Sequence, residues 1–374
     1  MQPHTVKKVC HLTSVHPPFD IRIFHKECKT LSQAGYQVVL IAPHDEEEEF
    51  DGVRILAIPK TKSRLERMTK IQWKLYKEAL KQDVDIFHFH DLELLPAGLL
   101  LKLCGKRVIY DVHEDYSQAL LSREWIPSWL RRRLAQMVGC GERLGAKFFD
   151  GVVAATPHIA KRFSPIKTVT VQNFPFLNQS TRNTAIPYHQ REKIVAYVGV
   201  VSALRGAKEM LQAMALLSHR PNARLRIAGI FSPVGLEDEA RKSPGWDRVD
   251  FLGWQRHEEA MAMLGETRMG LVLFHPIPNH MDAQPNKLFE YMSAGIPVVA
   301  SDFPLWREII EKIGCGILVN PLDPEAIAKA IQWLIEHPTE AEEMGKKGQE
   351  AIREHYNWDV EAKNLLGLYE NLLN

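Results

Sequence analysis

Apolar and polar positions along the chain change period in a regular order. Short apolar runs occupy positions 8–13, 37–42, 53–58, 84–91, 107–112, 151–155 and 168–172. They recur at 193–201, 224–229, 249–253, 269–274 and 296–300. Several are apolar at successive positions, the pattern of strands covered on both faces. Between them the spacing turns to three and four residues, predicting helices over 23–34, 63–82, 124–149, 158–163, 324–336, 340–356 and 358–373. Strand and helix in alternation predict βαβ units and parallel sheets with right-handed crossovers. Residues 124–149 read as one long helix or a broken pair, in which Leu130, Leu134, Met137, Gly141, Leu144 and Phe148 form a stripe predicted to face the core. The acidic stretch 45–51 reads as a solvated hairpin or loop. Polar residues 178–190 show no period and read as a linker, after which the βαβ pattern restarts. The predicted domains are therefore 1–180 and 181–357, followed by a last helix over 358–374.

Length agrees with that division, because 374 residues is about twice a common domain size. Net charge is only +1 but unevenly placed. Residues 1–180 carry 26 Lys and Arg against 20 Asp and Glu, and the remainder 21 against 26. A modestly basic first half favours an anionic partner such as a lipid phosphate or membrane surface. It is too weak for nucleic acid, and no nucleic-acid motif is present. The 5 cysteines form no C-x-x-C pair and read as reduced thiols of a cytosolic protein. No signal peptide is legible and no apolar run reaches the roughly 20 residues of a membrane span. The first strand is followed by Ser14-Val-His-Pro-Pro-Phe-Asp-Ile-Arg22, which lacks the glycines of a dinucleotide fold. Nicotinamide chemistry is thereby disfavoured.

The candidate chemistry gathers after the strands. Gln284-Pro-Asn-Lys-Leu-Phe-Glu-Tyr-Met-Ser-Ala-Gly-Ile-Pro-Val-Val-Ala-Ser-Asp302 reads as a short helix followed by a buried strand. Pro285 suits a first helical position and Gly295 a left-handed stop. A strand, a loop and a helix N-terminus make an anion site. Lys287 adds a charge there, and Glu290, one turn further in, can accept two hydroxyl hydrogen bonds. Phosphate followed by a diol is the layout of a nucleotide. Gly199, Arg205, Gly206 and Lys208 follow the first strand of the second half; Arg205 can grip phosphate bidentately. In the first half His16, Asp20 and Arg22 are placed to line a cleft at the sheet edge. Alternation puts His88 and His90 on one strand face and Phe87 and Phe89 on the other. With Asp91 the histidines suggest hydrogen-bonded polar residues rather than a metal, since no third ligand lies near in sequence. His113, Glu114 and Asp115 end the next strand. Arg131, Arg132 and Arg133, with Trp125 and Trp129, offer a face that can dock on an anionic bilayer.

Asn286-Lys-Leu-Phe-Glu-Tyr-Met-Ser-Ala-Gly-Ile-Pro-Val-Val-Ala-Ser-Asp302 resembles the nucleotide-sugar signature of family 4 glycosyltransferases. That resemblance implies the GT-B fold, an α/β architecture of two Rossmann-like doubly wound domains facing across a cleft, with the last helix packed back on the first domain. It implies a retaining enzyme whose donor, UDP- or GDP-linked, is held through Asn286, Lys287, Leu288 and Glu290, with Glu290 on the ribose. The family's first glutamate, which contacts the donor sugar, is replaced by Asp282. Arg205-Gly206 matches a basic residue–glycine pair of the family, whereas an arginine common after the first glycine is Val200 here. His113 takes the place of a histidine near the donor sugar. Thr13-Ser-Val-His16, Phe87-His-Phe-His-Asp91 and Tyr110-Asp-Val-His-Glu114 resemble a bacterial subgroup associated with surface polysaccharides. The resemblance further implies no cofactor and no metal. It also implies a glycan or lipid-linked acceptor on the side of His16, Asp20, Arg22, His90 and Glu114, and work at the inner face of a membrane. Arg205 and Lys287 then neutralise the leaving diphosphate, and the acceptor attacks from the face that it leaves. The alternatives are a sugar-nucleotide epimerase or phosphorylase on the same two-domain frame, and a catalytically idle nucleotide-binding subunit, for which Asp282 and Val200 speak.

Overall fold

The computed structural model describes residues 6–61, 63–121, 126–177, 186–217 and 223–374. The chain forms two compact units, one of Met1–Asn173 with Trp358–Asn374, the other of Phe174–Asn357.

Among the described residues, the first unit is built on an eight-stranded sheet. Its strands are β1 (Lys8–Leu12), β2 (Gln37–Pro43), β3 (Glu48–Phe50), β4 (Val53–Ile58), β5 (Ile86–Phe89), β6 (Arg107–Val112), β7 (Gly151–Ala154) and β8 (Thr168–Thr170). Their order is β3-β4-β2-β1-β5-β6-β7-β8. Every pairing is parallel except the β3–β4 hairpin, which the acidic stretch forms through Asp51 and Gly52. Leu12, Phe87, Phe89 and Tyr110 face one apolar core with Phe149. The opposite face carries His11, His88 and His90, all fully buried. Two helices bring partners to that face. The first opens as a π-helix Ile21–Cys28 and continues as an α-helix Lys29–Gln33. The second is Trp358–Leu373, whose Trp358 donates to Thr30 Oγ1 at 2.9 Å and whose Glu361 accepts from Gln172 N at 2.9 Å.

The long helix corrects the sequence reading. It runs over Ser128–Ala146, and of the stripe predicted to face the core Leu130 and Leu134 are half-buried while the rest points outward. Met137, Leu144 and Phe148, with Trp129, are 55–70% exposed, and Gly141 is exposed as well. Ala135, Gly139, Glu142, Gly145 and Ala146 are buried instead. The cause is close packing. A Cβ on Gly145 would lie 2.3 Å from Leu95 Cδ2, and one on Gly139 would lie 3.2 Å from Ser117 Cβ. Glu142 is satisfied within that interface by Tyr110 Oη at 2.8 Å and Arg162 Nη2 at 2.5 Å. The predicted start of this helix at 124, with Trp125, lies outside the described residues, as does most of the predicted linker (178–185).

The second unit carries β9 (Ile194–Val198), β10 (Arg224–Ala228), β11 (Val249–Gly253), β12 (Met269–Val272), β13 (Val298–Ser301) and β14 (Gly316–Val319). They pair in the order β11-β10-β9-β12-β13-β14, parallel throughout. Tyr291 lies so close over β12 that a Cβ on Gly270 would be 2.2 Å from its ring, and its hydroxyl accepts from Val198 N at 3.0 Å. That contact fixes the helix Asn286–Ser293 against the centre of the sheet. Pro285 takes the cap position with ψ 132° rather than the first helical one. Gly295, at φ 67°, closes the helix in the left-handed conformation expected of it. Among the described residues, no helix is long and apolar enough to cross a membrane.

Candidate functional site

In the second unit the strand order reverses between β9 and β12, and doubly wound sheets bind ligands at the carboxyl ends of such a pair. After β9 the chain turns at Gly199 (φ 104°), makes one 3-10 turn over Ala203–Arg205, turns again at Gly206 (φ 77°) and enters the helix Ala207–Leu216. Gly206 is required twice over, because a Cβ there would also meet Leu273 O at 2.5 Å. The loop after β12 is pinned by His275 N on Leu204 O (2.9 Å), Ser301 Oγ on Phe274 O (2.7 Å) and Trp306 Nε1 on Ala283 O (2.7 Å). Two fixed loops thus frame the start of the helix Asn286–Ser293, which Pro285 leaves without a side-chain cap.

Lys287 enters this frame from the helix. It is 7% exposed, and its ammonium stands 3.6 Å above the centroid of the Tyr197 ring without a hydrogen-bond partner. A Cβ on Gly199 would lie 3.8 Å from Lys287 Nζ, so the ammonium faces that turn. The Arg205 guanidinium is 5.4 Å above the Phe274 ring, with Lys287 Nζ 5.7 Å from the same centroid. Burial, with Arg205 nearby, pushes the Lys287 pKa well below its ordinary value, and Glu290 pulls the other way. An unpaired buried ammonium beside a second cation is costly unless an anion joins them. Glu290 is one turn further along, its Oε1 4.0 Å from His257 Nδ1.

The other predicted donor residues lie differently. The Leu288 side chain is fully buried in the core, and its N–H donates to Pro285 O at 3.0 Å. Asn286 and Asp282 are exposed, Asp282 at the end of the short helix Pro278–Met281. Lys208 is exposed in the first turn of its helix and lines a groove with Leu236, Glu239 and Asp323.

In the first unit the reversal falls between β1 and β5. Asp91, after β5, accepts from Thr13 Oγ1 (2.9 Å) and Ser14 N (2.6 Å), which fixes the loop after β1. His16 Nδ1 then lies 3.4 Å from Asp20 Oδ2, and its Nε2 3.5 Å from Asp91 Oδ1. Burial alone would lower the His16 pKa; Asp20, with Asp91 and Asp111, outweighs it and raises the value. Burial likewise opposes ionisation of Asp20, but the bonds from His16 and Ile23 N–H hold its carboxyl far below the usual range. Asp20 also caps the helix, accepting from Arg22 N at 2.8 Å and Ile23 N at 3.0 Å.

Two of the predicted acceptor-side residues are buried instead of lining a surface. Arg22 is 5% exposed and each of its three nitrogens is engaged: Nε and Nη2 clamp Asp111 at 3.0 and 2.8 Å, and Nη1 binds Val171 O at 2.8 Å. His90 is fully buried, with Nδ1 3.1 Å from Asp111 Oδ2 and Nε2 2.9 Å from His11 Nδ1. Burial drives its pKa down to about 4 against the pull of Asp111. His113 is half-buried, its Nε2 2.9 Å from Asp111 Oδ2, and Glu114 is exposed beside it. Arg22 and His90 both hold Asp111, which in turn holds His113.

Residues 22–169 match the family described as Glycosyltransferase Family 4, and residues 181–351 match Glycosyl transferases group 1. The chain belongs to the family 4 glycosyltransferases. An uncharacterised glycosyltransferase of Methanocaldococcus jannaschii is 27% identical to it over 393 aligned positions, covering 97% of this chain and 98% of the relative. Two solved structures share its GT-B fold. Sucrose-phosphate synthase of Thermosynechococcus elongatus superposes with a TM-score of 0.77 at 19% identity, covering 98% of this chain and 99% of the other. Anabaena HepE in complex with UDP and glucose superposes at 0.74 with 15% identity, covering 98% and 100%.

Sequence reasoning passed over several residues that the glycosyltransferase places at these sites. Asp111 is one; its signal was a lone carboxylate inside a buried strand, a position such a group holds only when paired. Glu209, in the first turn of the helix Ala207–Leu216, and His275, in the loop after β12, are others, 3.2 Å apart. His280 accompanies them, its pKa lowered to about 4 by burial while its bond to His275 O works in the opposite direction.

Proposed function

We propose that this glycosyltransferase is a retaining enzyme, moving a sugar from a nucleotide diphosphate donor, UDP- or GDP-linked, to a hydroxyl of a glycan or lipid-linked acceptor. The observation that carries the reading is Lys287, a buried ammonium without a hydrogen-bond partner, facing the Gly199 turn beside Arg205. A diphosphate supplies the missing anion, and the uncapped helix start and the turns at Gly199 and Gly206 suit its approach. Glu290, one turn on, suits the ribose diol. The binding of UDP and glucose by HepE supports a donor of this class.

In the reaction the acceptor oxygen attacks the anomeric carbon from the face that the diphosphate leaves. The carbon–oxygen bond to the diphosphate breaks as the new glycosidic bond forms, and the acceptor proton passes to a leaving-group oxygen. Arg205 and Lys287 stabilise the charge that develops there. No metal or covalent nucleophile is needed for this step. The first test is thermal stabilisation of the protein by a panel of nucleotide diphosphates and their sugars, with Glu290→Ala alongside. Stabilisation by one nucleotide class, weakened in the variant, is expected. The absence of any shift would refute the donor site and favour a non-catalytic scaffold.

The acceptor side belongs at a membrane surface in this reading. The outward stripe of Trp129, Met137, Leu144 and Phe148 runs along the helix Ser128–Ala146 and the turn that ends it, with Arg132, Arg133 and Lys147 exposed beside it. Apolar side chains flanked by cations suit the interface of an anionic bilayer, each cation adding about 1 kcal/mol. Sedimentation with phosphatidylglycerol vesicles but not neutral ones is expected, and Met137→Glu with Phe148→Glu should abolish it. Equal sedimentation by the double variant would remove this helix from the argument.

A further inference from the structure

The fully buried cluster of His11, Glu27, His88 and His90 in the first unit has no part in the transfer derived above, and its composition is unusual for a core. Three imidazoles and a carboxylate converge from β1, β5 with the residue after it, and the π-helix Ile21–Cys28, and their potential ligand atoms all lie within 4.8 Å of one another. Sequence alone offered His88, His90 and Asp91. The topology supplies His11 and Glu27 and withholds Asp91, which is engaged by Thr13 and Ser14.

We propose that His11 Nδ1, His88 Nδ1, His90 Nε2 and Glu27 Oε2 form a closed, four-coordinate structural site for a zinc-class divalent cation. A tetrahedral zinc with bonds of about 2.0–2.1 Å sets its ligand atoms roughly 3.3–3.4 Å apart. The corresponding separations here bracket that value: 2.9 Å from His11 Nδ1 to His90 Nε2, 4.0 Å from His11 Nδ1 to Glu27 Oε2, and 3.9 Å from His88 Nδ1 to Glu27 Oε2. Imidazole and carboxylate are ordinary zinc donors, and four protein ligands with no open position is the structural form of such a site.

Outer partners fit two of the three rings, while His88 Nε2 has no partner with or without the cation. Metal-bound histidines hand their second nitrogen to a carboxylate or another acceptor, which fixes the ring. His90 has Nδ1 3.1 Å from Asp111 Oδ2, and His11 has Nε2 3.1 Å from Tyr369 Oη. His88 Nδ1 is 2.8 Å from the same Tyr369 hydroxyl, a bond it exchanges for the cation while Tyr369 stays with His11.

The rival arrangement is a metal-free chain of hydrogen bonds from His88 through Tyr369, His11 and His90 to Asp111. It satisfies the three rings except for His88 Nε2, but it leaves Glu27 stranded. Both Glu27 oxygens are buried without a hydrogen bond. Arg22 Nε comes within 3.1 Å of Oε1, yet its single N–H already points to Asp111 Oδ2 at 3.0 Å. A cation gives Glu27 a ligand bond; the hydrogen-bonded chain leaves it only the charge of Arg22, against which burial and Asp111 push its pKa well above the ordinary carboxylate value.

The test is to isolate the full chain, without chelators, from cells grown with zinc or with cobalt, and to measure metal content after gel filtration. The expected result is one equivalent per chain, with the visible absorption of tetrahedral cobalt in the cobalt-grown protein. Glu27→Gln combined with His88→Leu should lose both. Metal-free wild-type protein from both cultures would overturn the proposal on its own, whether or not the variant folds. Stoichiometric metal that persists in a folded double variant would overturn it too, by assigning the metal elsewhere.

Discussion

Replacing Lys287 with methionine is expected to move stability and turnover in opposite directions. Methionine keeps most of the side-chain volume and packs against Tyr197 and Phe274. It also removes a buried nitrogen that has no hydrogen-bond partner, so the melting temperature should rise. Turnover should fall roughly a hundredfold, the scale of losing one preorganised donor to a developing oxyanion, about 3 kcal/mol. Arg205→Ala should show a similar loss of turnover. Titration gives a second signature. Burial and Arg205 depress the Lys287 pKa in the free protein, while an adjacent diphosphate restores it, so binding takes up a proton. Nucleotide affinity should therefore weaken as pH rises above the depressed value, and the methionine variant should lose that dependence. A folded Lys287→Met protein with unchanged turnover would remove the lysine from the mechanism.

Asp111→Asn is expected to be the most destabilising single isosteric change in the first unit. The carboxylate is fully buried and accepts from Arg22 twice, from His90 and from His113. Burial disfavours its charge, but Arg22, His113 and His90 outweigh burial and hold it ionised, well below the ordinary carboxylate range. An amide cannot accept Arg22 bidentately, and it turns a donor toward a cluster of donors. Breaking such a pair typically costs about 3–5 kcal/mol, because the surviving charge stays buried without its partner. Denaturant unfolding should show the loss, and activity under folding conditions should fall as well, since His113 rests on the same oxygen. Glu114→Ala, three residues along and exposed, should leave stability unchanged. Equal midpoints for Asp111→Asn and wild type would refute the clamp.

Much of the frame was legible because it depends on local chemistry. The helix Asn286–Ser293 and its stop at Gly295 follow from residues within one turn of each other. Arg205 and Lys287 announced themselves as cations after strands of a parallel sheet. What escaped was assembled over distance. His88 meets Tyr369 across 281 positions and His11 meets it across 358, separations that no periodicity encodes. The helix Ser128–Ala146 failed for another reason. A period of three and four identifies a face but not what it faces, and Gly139, Gly145 and Ala146 won the interior because small residues let Leu95 and Ser117 approach. Arg22 and His90 were read as lining a surface, and their burial could not be read from loop and strand-end positions.

The C-terminal helix has a consequence for the order of events on the ribosome. Residues 174–357 are continuous, so the second unit has all its parts once that stretch has emerged. The first unit does not. Its sheet is made early, yet the face bearing His11 and His88 has no Tyr369 against it until the whole of the second unit has been translated. Domains generally fold as units in the order they appear during synthesis. Here the segment synthesised first is completed last, its polar face covered early by the helices Ile21–Cys28 and Lys29–Gln33 but left without Tyr369 until the chain is finished.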